Sequence, residues 1–218
     1  MPETATKLPT HIRLPFPWKQ GEHVAIIGDT GTGKSQLMTL LVEHRDSTIV
    51  TLTKHDPSIK WEGTKTKEAA DITAARSRRW VLRPTYETQR VEIARMFEAT
   101  WKQRGWALFL DETYYIARQL KLEKLLERHL TQGRSMGLTL IMGAQRPVDI
   151  SRFVLSSCTH LIVFRQDGRD AKTVAEAAAN PISEALSALE PHQFLWYHRA
   201  SRSSFIGRLQ DLDAEKGA

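Results

Sequence analysis

The sequence predicts an α/β fold, a central and mostly parallel sheet flanked by helices and closed by a C-terminal antiparallel hairpin. Three observations carry that expectation. His23-Val24-Ala25-Ile26-Ile27 is a short apolar run with polar flanks, which reads as a buried strand, and the segment beginning at Gln36-Leu37-Met38 reads as a helix. Ser47 to Thr53, rich in β-branched residues, reads as a second strand, so strand, helix and strand form a βαβ unit with parallel pairing. Three more apolar runs, Trp106–Leu110, Leu138–Ala144 and His160–Arg165, alternate with helical segments, whereas Phe194–His198 and Ser203–Gly207 lie close enough to pair as a hairpin.

Between the first strand and its helix stands Gly28-Asp29-Thr30-Gly31-Thr32-Gly33-Lys34-Ser35. This fits the P-loop pattern G-x-x-x-x-G-K-[ST] in its strand–loop–helix context; the alternative is an ordinary Gly-rich turn. The chemistry explains the residue types. Backbone N–H groups can crowd a triphosphate only where no Cβ intrudes, and the helix N-terminus adds partial positive charge. Lys34 is expected at the β- and γ-phosphates, Ser35 on Mg²⁺, and Gln36 completes the nucleotide-binding set. The expected cofactors are therefore ATP and Mg²⁺.

The composition bounds the rest. With 218 residues, 41% hydrophobic, the chain can bury a full core, and it divides into an extended arm (1–20), a single ATPase domain (21–209) and a frayed tail (210–218). Net charge is +6, a modest basic excess compatible with a nucleic-acid partner. The single cysteine, Cys158, excludes an intrachain disulfide. Met1 to Pro9 is polar, unlike a signal peptide, and no run of 18 apolar residues occurs, so a soluble cytoplasmic protein without a transmembrane segment is expected.

Along the chain, Phe16 and Trp18 in the arm either stack on a nucleotide base or pack on the sheet edge. Lys54 to Gly63 reads as a loop, Thr66–Arg79 as a helix, Trp80-Val81-Leu82 as a short strand, and Glu87–Arg104 as a helix with apolar positions at Val91, Ala94, Met96, Phe97 and Trp101. Residues 54–104 hold twelve Lys or Arg against seven Asp or Glu, +5 of the chain's +6. Lys54, Lys60, Lys65 and Lys67, with Arg76, Arg78 and Arg79, form either a solvated face or a set of DNA phosphate contacts.

The strand Trp106–Leu110 ends in Asp111-Glu112, the Walker B pattern. Asp111 is expected to hold Mg²⁺ through water beside Ser35, and Glu112 to accept a proton from the attacking water; the alternative is an acidic pair that satisfies a helix dipole. Thr113–Ser135 reads as mostly helix, with Leu122, Leu125, Leu126, His129 and Leu130 on one buried stripe and His129 as a core histidine. Arg118 and Lys121 are weaker DNA candidates. Gln145, at the end of the strand Leu138–Ala144, suits a sensor that touches both lytic water and γ-phosphate, or else caps a turn before Pro147. Ile150–Ser156, Asp170–Ala179 and Ser183–Leu189 read as helices.

The block Gln132-Gly133-Arg134-Ser135-Met136-Gly137, then Leu138 to Ala144, then Gln145-Arg146-Pro147, resembles the FtsK/HerA family of DNA-pumping ATPases. The P-loop and Asp111-Glu112 precede it in the right order, and the resemblance covers residues 21 to about 200. It implies a P-loop NTPase of the RecA-like, ASCE type. It also implies a homo-oligomeric ring, hexamer or pentamer, in which Lys34, Glu112, Gln145 and Arg134 carry catalysis. Arg134 resembles the arginine that completes a site at a subunit interface; Arg146, Arg165 and Arg169 are rivals for that trans role. Lacking any appended barrel or DNA-reading domain, the chain is most similar to the compact genome-packaging ATPases of viruses with internal membranes. That implies double-stranded DNA as substrate, a capsid vertex or membrane protein as partner, and the host cytoplasm or virion vertex as location. The alternatives are a P-loop nucleotide switch or small-molecule kinase, or a motor for single-stranded DNA or protein secretion.

Overall fold

The strands come first because they set where the site can form. In the computed structural model, which describes residues 14–54, 57, 59–74 and 78–212, strands β1 (Val24–Ile27), β2 (Thr48–Thr51), β3 (Thr64–Thr66), β4 (Arg79–Leu82), β5 (Ala107–Leu110), β6 (Thr139–Ala144), β7 (His160–Phe164), β8 (Phe194–His198) and β9 (Ser203–Gly207) form one sheet. Its order is β3-β4-β2-β5-β6-β1-β7-β8-β9. Pairing is parallel from β3 through β7, and β8 and β9 add antiparallel at one edge. The expected mostly parallel sheet and closing hairpin are therefore present. The strand β6 lies between β1, which feeds the P-loop, and β5, which ends in Asp111-Glu112. Three strand tips thus meet at one end of the sheet.

Central strands buried on both faces are apolar at successive positions. Val24 and Ile26 of β1 pack on helix α1 (Lys34–Val42), while Ala25 and Ile27 face the opposite layer. That layer contains α2 (Ala69–Ala74), α3 (Gln89–Gln103), α4 (Glu123–Gln132), α5 (Arg152–Ser157), α6 (Gly168–Ala178) and α7 (Ser183–Ala188). Among the described residues, the α1 face has one α-helix and is completed by the segments before β1 and after β9. Trp18 is buried there beneath the Arg45 guanidinium, 3.8 Å from its ring centroid, and Leu212 is buried as well. Phe16 stacks on His198 at 5.3 Å. Both aromatics therefore pack on the sheet layer, and residues 1–13 of the expected arm lie outside the described residues.

Four expectations need correction. The helix expected over Thr66–Arg79 is an edge strand, β3, followed by the short α2. Thr66 Oγ1 accepts from the Glu68 N–H at 3.0 Å, and Glu92 of α3 accepts from the Ala69 N–H at 2.7 Å, so the helix begins only after that turn. Residues 75–77, with Arg76, lie outside the described residues. The long helix expected over Thr113–Ser135 is divided into a π-helical turn (Tyr115–Gln119), α4 and a 3₁₀ turn (Gly133–Met136), with Lys121 at φ 57° between the first two. Val91 is exposed, and Ile93 takes the core position on α3. Finally, residues 210–212 are not frayed, because Leu209–Leu212 forms a 3₁₀ turn that seats Leu212 against the α1 face; residues 213–218 lie outside the described residues.

His129 is a core histidine, as expected. It is fully buried, edge-on to Phe97 and Trp101 at 4.9 and 5.2 Å, with Nδ1 2.9 Å from the Leu125 carbonyl.

Candidate nucleotide site

The P-loop leaves β1 at Gly28, whose N–H donates to the Ala144 carbonyl of β6 at 3.1 Å. Gly33 has φ 104° where the loop turns into α1, a left-handed conformation that a side chain would strain. Gly143 is needed for a different reason. A Cβ there would meet the Asp111 carbonyl at 2.6 Å and Met38 Cε at 2.8 Å, so a glycine lets the segment after β5 lie close over β6 and under α1.

One cavity opens where the three tips meet. Thr30, Gly31, Gly33, Lys34, Ser35 and Gln36 line one wall, and Asp111, Glu112 and Gln145 line another. The structure therefore brings together the residues picked out by the P-loop and Walker B patterns and the amide at the end of β6. Asp29 and Thr32 face away toward the neighbouring cavity between β7 and the turn before β8. Lys34 Nζ is folded back on the Asp29 carbonyl at 2.7 Å, and burial lowers its pKa against the pull of Asp111 and Glu112. An ammonium held this way is poised for an anion that would replace a backbone carbonyl as its partner.

Ser35 Oγ donates to Asp111 Oδ1 at 3.0 Å. Burial raises the Asp111 pKa, opposed by the Ser35 hydrogen bond. A desolvated carboxylate facing a hydroxyl suits a divalent cation that takes few protein oxygens and completes its shell with water and phosphate. Among the described residues no group of three or more His, Cys, Asp or Glu forms an all-protein metal cage. Glu112 sits beside Asp111 with its Oε1 3.4 Å from Gln145 Nε2.

The arginines divide. Arg134 lies exposed in the 3₁₀ turn before β6, at the end of the sheet opposite Gln145, so it does not reach this chain's own cavity. Arg146 donates from Nε to Asp170 at 2.8 Å and, with Arg165, lines the neighbouring cavity; Arg165 Nε lies 3.5 Å from Asp167. Arg169 is exposed in the first turn of α6. Among the lysines, Lys60, Lys65 and Lys67 are exposed around β3. Lys54 is different. It lines the nucleotide cavity, and its Nζ lies 2.6 Å from Glu112 Oε1. Arg118 is paired with Glu123 at 2.9 Å.

Sequence reasoning missed Leu52, Ile59, Trp61 and His192 in the cavity wall. Strand order alone could have found the first three, and His192 comes in on the turn before β8. The parallel register sets Thr51 of β2 opposite Leu110 of β5, so the segment leaving β2 emerges beside Asp111-Glu112.

Comparison with known proteins agrees with this geometry. DNA packaging ATPase P9 of Enterobacteria phage PRD1 is 24% identical over 168 residues, covering 75% of this chain and 71% of P9. The genome packaging NTPase B204 of Sulfolobus turreted icosahedral virus 2, solved in complex with AMPPCP, superposes with a TM-score of 0.71 at 22% identity, over 88% of this chain and 99% of that one. ATPases 2 and 3 of EssC from Geobacillus thermodenitrificans give a TM-score of 0.61 at 15% identity, over 92% of this chain and 42% of that one. The family model described as ABC transporter matches residues 13–163, which include the P-loop, Asp111-Glu112 and Gln145. With those three elements inside the match and gathered around one cavity, the chain belongs to the ABC transporter family, as a P-loop ATPase.

Proposed function

We propose that this ATPase drives the packaging of a viral genome, working as a homo-oligomeric ring, hexameric or pentameric, that moves double-stranded DNA. The observation that carries the reading is the convergence of the P-loop, the Ser35–Asp111 pair and the Glu112–Gln145 pair at three adjacent strand tips. The similarity to P9 over three-quarters of the chain supports the choice of cargo. Among the described residues no helix is long and apolar enough to cross a membrane, which is compatible with work in the host cytoplasm or at a virion vertex, on a capsid or membrane partner.

The chain's own residues divide the work. Lys34 leaves the Asp29 carbonyl for the β- and γ-phosphates. Ser35 and Asp111 would hold Mg²⁺, whose chemistry when bound would be to neutralise phosphate charge. Glu112 takes the proton of the attacking water, and the Gln145 amide orients that water against the γ-phosphate. An arginine then comes from a neighbouring copy. Arg134 stands too far from its own cavity to serve it, and Arg146, Arg165 and Arg169 are its rivals. One guanidinium so placed contributes roughly 10³–10⁵ in rate.

The test is an ATPase assay on protein whose assembly state is measured in the same sample. Hydrolysis is expected to rise with double-stranded DNA above single-stranded DNA. It should vanish in Lys34→Ala, and fall about 10²–10⁴-fold in Glu112→Gln with ATP binding retained. Transfer of the γ-phosphate to an added nucleoside monophosphate, or a rate indifferent to DNA in assembled protein, rejects the motor.

A further inference from the structure

The helix α3 keeps apolar side chains on two sides. Ile93, Met96 and Phe97 fill the core, while Val91 stands 47% exposed toward solvent. Val91 belongs to an open groove of about 580 Å³ between α3 and the start of α4. The floor of the groove is apolar, with Val91, Ala94 and Ala99 from α3 and Leu122 and Leu125 from α4. Two contacts bridge its walls. Arg90 donates from Nε to the Leu120 carbonyl at 3.1 Å, and Arg128 of α4 pairs with Glu98 of α3 at 3.0 Å. An apolar floor left open to water beneath a polar rim marks a surface that another apolar surface covers. We propose that this groove docks an acidic amphipathic helix of a partner protein, with the helix's apolar face on the floor and its carboxylates on the basic rim.

The rim decides the charge of the partner. Arg90, Arg95 and Lys102 stand on it against one carboxylate, Glu98, which Arg128 already neutralises. Arg95 pairs with Glu92, but the two ends of that pair differ: the Glu92 side chain is 6% exposed and that of Arg95 64%. The carboxylate is turned inward and the guanidinium outward. Lys102 is exposed in the last turn of α3 and pairs with no carboxylate among the described residues. The face that a partner meets is therefore cationic, and electrostatic complementarity selects an acidic one. The floor decides that the partner is a protein. The phosphates of a duplex gain from cations and gain nothing from valine and leucine, whereas an amphipathic helix uses both. The length fits as well, since the span from Arg90 to Lys102 along α3 is about 18 Å at 1.5 Å per residue, room for about three turns of a docked helix. No residue of the groove lines the nucleotide cavity, so docking there leaves the P-loop free.

The probe is a labelled synthetic peptide of about three helical turns, with leucine at i, i+3, i+4 and i+7 and glutamate and alanine elsewhere, so that it carries the stated chemistry and nothing more. Its binding to the full chain is read by fluorescence anisotropy, beside the same peptide with lysine in place of glutamate. The acidic peptide is expected to bind saturably, and at least about tenfold more tightly than the basic one at low salt. Val91→Glu sets a carboxylate in the floor at an exposed helix position and should weaken the acidic peptide about tenfold, and Lys102→Glu about threefold, both with the melting temperature of the wild type. Should Val91→Glu melt early, Val91→Ser removes apolar area alone and is expected to cost about threefold. Equal binding of the two peptides, binding of neither, or an affinity indifferent to the Val91 variants overturns the proposal. Displacement of the peptide by duplex DNA, with DNA binding itself weakened by Val91→Glu and Lys102→Glu, overturns it in favour of a nucleic-acid surface. Loss of self-association in Val91→Glu without any peptide overturns it in favour of a contact between copies of this chain.

Discussion

Ser35 and Asp111 lie 76 residues apart in sequence and share a hydrogen bond of 3.0 Å, the hydroxyl donating to the carboxylate. One sits at the start of α1 and the other at the tip of β5, and β6 separates their strands. The bond does not look like a stabilising device. Burial raises the Asp111 pKa, which means that the folded protein pays to keep this carboxylate charged. Such a group is tolerated for its chemistry, and stability and activity should therefore respond to its removal in opposite directions.

Asp111→Asn is accordingly expected to abolish the metal dependence of hydrolysis and to lower the rate by at least the roughly 10–100-fold that loss of a metal-site partner costs. In the absence of nucleotide and metal, the same variant should melt above wild type at pH 7. The folded carboxyl has its pKa raised above the free value of 3.8, so the wild type loses stability as pH rises through the window between the two values. The advantage of the variant should then fade below that window. Melting curves across pH, with and without Mg²⁺, read both effects. A variant less stable than wild type at neutral pH would contradict the account.

The legible part of this site is the local part. The P-loop and Asp111-Glu112 are contiguous patterns whose neighbours in sequence fix their context, and Gln145 is placed by the strand before it. Lys54 is legible only as one of several lysines, because its contact with Glu112 depends on β2 lying next to β5. The same holds for Trp61, on the segment leaving β2, whereas His192 enters on the turn before β8. The edge strand β3 escapes because two of its three residues are exposed, so no alternation marks it. The break before α4 escapes because the residue with positive φ there is Lys121, and no glycine announces the turn.

His129 gives a second pH prediction, of opposite sign. Burial pushes its pKa down to about 4 from 6.5, and its ring sits between Phe97 and Trp101 with Nε2 unpaired. The unfolded chain binds this proton near 6.5 and the folded protein only near 4. Stability that is complete above 6.5 is therefore lost as pH falls toward 4, on the order of 3 kcal/mol from this group. His129→Leu should be close to wild type at pH 7 and clearly more stable at pH 5. Parallel denaturation curves for the two proteins at both values would refute it.

The exposed lysines Lys60, Lys65 and Lys67 are tested by salt. If each meets a phosphate, replacing all three by Ala should weaken duplex binding and reduce the slope of log K against log salt by about 2 to 3, since each contact contributes about 0.9. DNA-free hydrolysis should not change, because none of the three lines the nucleotide cavity. A parallel displacement of the binding curve with an unaltered slope would assign these side chains to a solvated face instead.

Arg134 poses the question of cis or trans, and its position makes the answer measurable. It stands at the opposite end of β6 from Gln145, so within one chain it cannot stabilise charge on a phosphate held by Lys34. If it completes the site of a neighbour, Arg134→Ala and Lys34→Ala damage different halves of the same interface. Each variant alone is expected to be inactive and still to assemble. Mixed in equal amounts, they rebuild intact interfaces wherever a good P-loop from one meets a good arginine from the other, about a quarter of all interfaces under random closure of the ring. Recovery of hydrolysis toward that fraction, read by titrating one variant into the other, assigns Arg134 to the trans role. If mixing restores nothing while the same experiment with Arg146→Ala, Arg165→Ala or Arg169→Ala does, the role belongs to that arginine, and Arg134 is left to hold the turn before β6.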